Sequence, residues 1–287
     1  MRKNHQTTGD QLTQFWNEMP CEAEPFVHPR DRDWMLAPKV ADSVRLNAPA
    51  DPKDWIEEAR GSRVQFGLLP IPYLGDLKRA DIIICLLNPG LEAGDFHAEL
   101  RMREFRAAVS RSLRQDFQGD ERYPFLFLDP QWCWTGGHRW WAKKLKGIIS
   151  AISEFYECSF DDATAKLACR IAAVELFPYH SATFAMHRAL TAIPSCDQAR
   201  EFVRKAIHDS DKIVIVTRQA KAWQLPRSNE PQPNLIVYKD GQERGAHLSP
   251  GTTGGQAVLS KLGISNTTRT VSAEHDHLPV GDIVAQP

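Results

Sequence analysis

Five short apolar runs, spaced along the middle of the chain and separated by helix-like stretches, constrain this sequence more than any other feature. They fall at residues 80–87 (ADIIICLL), 125–128 (FLFL), 171–177 (IAAVELF), 212–217 (KIVIVT) and 235–238 (LIVY). Continuous apolar runs of this length read as strands buried on both faces. Residues 97–117 have a helical period that puts Leu100, Phe105, Ala108, Val109 and Leu113 on one side. Residues 138–157 repeat it with Trp141, Leu145, Ile148, Ile149 and Ile152, and 196–209 and 252–262 are also helical in pattern. Strands alternating with helices predict an α/β protein with a mostly parallel central sheet between two helical layers, α/β/α.

The flanks differ from this core. Residues 1–60 hold Trp16, Trp34 and Trp55 among many prolines. Three exposed indoles would be costly, so an extension packed on the core is expected. Residues 61–262 form the α/β domain. Residues 263–287 lack periodicity and carry one Arg against three acids, a tail expected to be disordered.

Charge limits the partners. The net charge is -1, which excludes a protein that coats nucleic acid or membrane by bulk charge. The acidic tail accounts for -2 of it, and the Arg residues at 101, 103, 106, 111 and 114 cluster on one helix, with Lys143, Lys144 and Lys146 on the next. A small footprint on a few phosphates is compatible with this balance. No apolar run approaches the ~18 residues that span a bilayer, and residues 1–15 lack the apolar core of a signal peptide, so a cytoplasmic protein without membrane contact is expected. The six cysteines include no CxxC pair, and free thiols rather than a metal site are expected. No P-loop or GxGxxG follows a strand, so no cofactor is expected.

In parallel sheets, ligands sit at the carboxyl ends of the strands. Asn88-Pro89-Gly90 follows the first run. Glu175 ends the third, followed by Phe177-Pro178-Tyr179-His180-Ser181. His247-Leu248-Ser249-Pro250-Gly251-Thr252-Thr253 leads into the last helix. Three polar, turn-rich segments thus converge on one edge.

LLNPG after a buried strand resembles the first motif of the uracil-DNA glycosylase superfamily, and HLSPG before the last helix resembles the second. Thr135-Gly136-Gly137-His138-Arg139-Trp140 is similar to the Ser-Gly-x-x-x-Trp segment of the single-strand-selective monofunctional branch, and Glu175-Leu176-Phe177-Pro178 to its Asn-Leu-Cys-Pro. The resemblance runs over roughly residues 64–262. It implies a base flipped from DNA into a pocket at the strand ends and hydrolysis of its bond to deoxyribose. Asn88 would orient the water and His247 would donate a hydrogen bond to the departing base. Phe96 would stack on that base, with Pro89, Gly90, Glu175, Tyr179, Trp132 and Ser249 completing the substrate site. Gly251, Thr252, Thr253, Arg101 and Arg139 are the candidate DNA contacts. No lysine stands in the motifs as an amine nucleophile, so a monofunctional enzyme that leaves an abasic site is expected.

Two positions depart from the family pattern. Glu175 replaces the base-reading Asn. An ionised carboxylate only accepts hydrogen bonds, which suits the amino group of cytosine and repels uracil O4, whereas a protonated one can also donate. Glu175 is either this reader or a pocket-wall residue with another role. Gly251 stands where a wedge residue would enter the DNA stack, so another loop inserts or the substrate is single-stranded or distorted. Excising ordinary cytosine would destroy the host's own DNA. A modified cytosine, such as the hydroxymethylated or glucosylated base of phage DNA, is the coherent substrate, in an antiviral role. The alternatives are uracil repair with a protonated Glu175, a non-catalytic protein that binds damaged or single-stranded DNA, and an unrelated α/β enzyme acting on small molecules.

Overall fold

The computed structural model describes residues 8–209, 211–225, 232–238 and 248–264. The extension contributes α1 (Thr8–Asn17), α2 (Arg32–Met35), β1 (Val44–Arg45) and α3 (Pro52–Glu58). After β2 (Val64–Gln65), β3 (Tyr73–Leu74) and β4 (Ile82–Leu86) come α4 (Ala93–Arg101), α5 (Arg103–Arg114), α6 (Gly136–Tyr156) and α7 (Phe160–Ala168). The chain continues through β5 (Ile171–Glu175), α8 (Pro194–His208), β6 (Ile213–Val216), β7 (Leu235–Val237) and α9 (Thr253–Lys261).

The central sheet has the order β3-β5-β4-β6-β7. Strands β5, β4, β6 and β7 are parallel, and only β3 at the edge runs antiparallel. Every residue of β4 and β5 is buried, as the unbroken apolar runs require. Helix α1 packs on both α5 and α8, α6 packs on both α7 and α9, and each group reaches the sheet. Among the described residues no helix is long and apolar enough to cross a membrane.

The extension is part of the core. Trp16 and Trp55 are buried, and Trp34 packs against the core half-buried. Its strand β1 pairs in parallel with β2 of the domain, Val44 opposite Val64. The buried Asp31 accepts hydrogen bonds from the Tyr179 hydroxyl (2.6 Å) and the Ser195 amide (3.0 Å), and the His28 amide donates to the Tyr179 oxygen (3.1 Å). The expected tail lies almost wholly outside the described residues.

Three expectations about elements are corrected. Residues 126–128 form a 3-10 turn rather than a strand, with Leu126, Phe127 and Leu128 all buried. An apolar run satisfies its burial in either geometry, and here the sheet position beside β5 is taken by β3. That two-residue strand lies in the segment Pro70-Ile71-Pro72-Tyr73-Leu74, where the prolines hid it. The single helix expected over 97–117 is two, broken where Met102 adopts an extended conformation (φ -114°, ψ 100°).

Candidate active site at the strand ends

The end of β4 passes through Leu87 into Asn88-Pro89-Gly90. Gly90 has φ +74°, which a side chain would oppose, so the turn requires glycine here. Past β5 the neighbouring chain stays close, with the amides of Leu176 and Phe177 donating to the carbonyls of Leu86 (3.2 Å) and Leu87 (2.8 Å). This parallel course carries Ser181 to the side chain of Asn88. The amide nitrogen of Asn88 donates to the Ser181 carbonyl (3.1 Å) and hydroxyl (3.2 Å). With Nδ2 so committed, Oδ1 is the atom left to accept from a water or a substrate.

Glu175 is the last residue of β5 and lies opposite Leu86 in the ladder, so its carboxyl group and Asn88 share one edge of the sheet. Its backbone amide donates to the Pro72 carbonyl (2.9 Å). The side chain is buried, and Oε2 has no hydrogen-bond partner among the described residues. Burial pushes this carboxyl group well above the usual carboxylate range, while the charge of Arg218 acts in the opposite direction. Burial thus favours the neutral acid, which has one donor and one acceptor.

A buried polar cluster supports the loop from below. The two ring nitrogens of His180 lie 3.0 Å from the Gly90 carbonyl and 3.1 Å from the Leu69 carbonyl. Burial lowers the pKa of this ring, and Asp95 and the two carbonyls oppose it. Glu99 lies 4.0 Å from His180 Nε2 and accepts from the Leu69 amide at 2.9 Å. Its pKa is raised to about 8 by burial, against the Leu69 amide and Arg106. Asp95 closes a capping box with Glu92 at the start of α4, directly after the loop. Loop, helix and the chain following β5 are thus tied through one histidine.

The Thr135-Gly136 segment opens a helix as expected. The Thr135 hydroxyl accepts from the His138 amide (3.2 Å), and α6 starts at Gly136. A methyl group on Gly136 would meet the Glu92 carboxyl carbon at 2.4 Å, so glycine lets the loop after Asn88 rest on the helix start. One helix face then runs from Trp140 through Lys144 to Gly147. Trp140 is 38% exposed, with Lys144 Nζ 5.0 Å from its ring centre. Gly147 abuts Pro250, where an added Cβ would come within 2.9 Å. Burial, with Arg218 and Lys143, lowers the Lys144 pKa to about 8. Arg218 is exposed just past β6, where the Thr217 hydroxyl donates to the Cys85 carbonyl (3.2 Å).

The turn before α9 is tightly built. The Thr252 amide and hydroxyl donate to the Ser249 carbonyl (2.9 and 2.8 Å), and the Thr252 hydroxyl caps the helix by accepting from the Gly255 amide (3.1 Å). Ser249, Gly251 and Thr253 are exposed at its surface. His247 lies outside the described residues.

Several expected site residues sit elsewhere. Phe96 is fully buried in a satellite cluster with Trp55, Leu68 and Leu91, its ring 6.1 Å from that of Trp55, so stacking on a base would require this cluster to open. Trp132 is buried edge-on to Phe105 and lines a separate groove of about 310 Å3 with Glu104, Arg111, Tyr123 and Gln131. Tyr179, expected in the substrate site, is fully buried as the anchor of the extension. Arg139 is exposed and paired with Glu92 beside the loop, and Arg101 is exposed at the end of α4. Pro89 and Gly90 are half-buried at the edge itself.

Sequence reasoning passed over Glu99, Asp95 and Arg218 as site residues, and read His180 and Ser181 only as rim. Arg218 was within reach of the rule that found Asn88, since it follows an apolar strand. The acids on α4 left no signal, because a carboxylate on a helix is ordinarily solvated. Among the described residues no group of three or more His, Cys, Asp or Glu is placed to hold a metal ion. Comparison with known protein families, curated proteins and solved structures finds no match.

Proposed function

We propose that this chain is a monofunctional DNA glycosylase with the uracil-DNA glycosylase architecture. In this reading it hydrolyses the N-glycosidic bond of a flipped-out modified cytosine, such as hydroxymethylated or glucosylated cytosine of phage DNA, and leaves an abasic site. The observation that carries the reading is the pairing, at adjacent strand ends, of an asparagine whose amide nitrogen is pinned with a buried acid that has an unpartnered oxygen. Those are the two positions to which the resemblance assigns water orientation and base recognition. Asn88 Oδ1 would accept from the attacking water as the sugar gains positive charge. Trp140, Lys144 and Arg218 would receive a neighbouring base and its phosphates, by stacking and charge.

Held neutral, Glu175 can accept from N4–H of cytosine and donate to N3. It can equally accept from N3–H of uracil and donate to O4. Its charge therefore does not discriminate between the two bases, and uracil repair is the second reading that this neutral acid favours. The test is to incubate purified protein with oligonucleotides carrying uracil, 5-hydroxymethylcytosine or glucosylated hydroxymethylcytosine, then break abasic sites with alkali. Strand breaks at the modified cytosines, formed far more slowly with Asn88→Ala, are expected. Breaks at uracil alone would remove the modified-base reading, and DNA binding without any break would remove the enzyme.

A further inference from the structure

We infer that Glu175 is the general acid of this reaction, passing its proton to N3 of a departing cytosine; the inference rests on the glycosylase reading. Glu175 Oε2 is buried at the end of β5 without a hydrogen-bond partner among the described residues. An orphaned buried polar atom is a standing loss to the fold, and such atoms persist where a ligand completes them. Among the described residues the charge that acts on this carboxyl is that of Arg218 beyond β6, and Glu175 in turn pushes up the Cys85 thiol on β4. Burial is the larger influence and Arg218 the smaller, which favours the neutral form that the step requires.

The chemistry of the leaving group gives that proton a use. Uracil already carries a hydrogen at N3 and departs as a delocalised anion. Cytosine has a bare N3, and its anion is a poorer leaving group. As the C1′–N1 bond breaks, its electron pair goes to the ring while the Glu175 proton moves to N3, so the base leaves as a neutral tautomer. Glu175 is left as a carboxylate. Water adds to C1′, releases its proton to solvent, and Glu175 regains a proton from solvent when the products leave. No other reagent is consumed.

Glu175→Gln separates this role from a structural one. Glutamine keeps the size of the side chain, can donate to N3 and accept from N4–H, but cannot transfer a proton. Single-turnover cleavage of the best-cleaved cytosine oligonucleotide should fall by about 10²–10⁴-fold, the usual worth of general acid catalysis. Kd for the same DNA should change little, and the fall in rate that the acid role requires of the wild type at alkaline pH should be absent. A 3-deaza counterpart of that base, which has no N3 to protonate, should resist the wild-type enzyme; this arm decides the matter should the variant fail to fold. Wild-type rates for Glu175→Gln on the cytosine substrate, or for the wild type on the 3-deaza base, would overturn the acid role and leave the glycosylase reading intact. Release of no base from any oligonucleotide would overturn both.

Discussion

Tyr179→Phe deletes one oxygen atom and separates two views of this tyrosine. Its ring is fully buried, with Phe66 at 5.2 Å and Phe177 at 5.4 Å between ring centres, and phenylalanine fills the same space. The lost hydroxyl donates to Asp31 Oδ2 and accepts from the His28 amide, both in parts of the extension that are 1% exposed or less. Each group stranded in the interior costs about 1–3 kcal/mol, so for the two roughly 2–6 kcal/mol of stability should be lost. For a chain of this size, at about 2 °C per kcal/mol, that corresponds to a fall in Tm of about 4–12 °C. Urea titration gives the free energy, and thermal melting followed by circular dichroism gives Tm. Glycosylase activity measured well below the lowered Tm should stay at the wild-type level. A loss under about 0.5 kcal/mol, within the range of a neutral surface change, would refute the anchoring argument. Unchanged stability with lost activity would return Tyr179 to the substrate site.

Glu99→Gln should change the pH dependence of stability. Glu99 keeps its proton in the fold to about pH 8, whereas in the unfolded chain it ionises near pH 4.5. Between these values the unfolded state binds fewer protons, so wild-type stability declines as pH rises. The variant should show a shallower decline over this window in urea titrations at several pH values; parallel curves would show that Glu99 does not carry it. Lys144→Ala should weaken binding to a single-stranded oligonucleotide regardless of sequence and flatten the slope of log K against log salt by about 1, read by fluorescence anisotropy. An unchanged slope would place Lys144 outside the DNA path. Asn88→Ala should cut single-turnover cleavage on the order of 100-fold with DNA binding retained, since only the orientation of the water is lost. A variant that cleaves normally would assign the water to another residue.

The parallel strands were legible because burial on both faces favours apolar residues throughout a strand, and β4, β5 and β6 each write that as an apolar run, broken only by Glu175 at the end of β5. Asn88 and Glu175 followed from the rule that ligands gather at strand ends, which needs no contact between side chains. Residues 125–128 misled for the same reason that β4 did not. The run records that a segment is buried but not which geometry buries it, and only the occupancy of the sheet edge by β3 settles that. Phe96 and Tyr179 misled differently. Each lies close in sequence to a strand end, but whether a ring faces a cleft or the core depends on partners far along the chain. Those partners are Trp55 for Phe96 and, for Tyr179, Asp31, 148 residues away.

Local sequence was therefore enough for the parallel strands, for the edge where a site would form, and for the glycine that Gly90 must be, because each reflects burial or backbone sterics within a few residues. Long-range contact was needed to give each site residue its chemistry. Ser181, 93 residues from Asn88, fixes which end of the amide is left to act. Segments far apart in sequence bury Glu175, and that burial pushes its carboxyl group above the usual range. A carboxyl group has the same composition wherever it lies, and its proton affinity is set by the dielectric of the surroundings that the fold assembles.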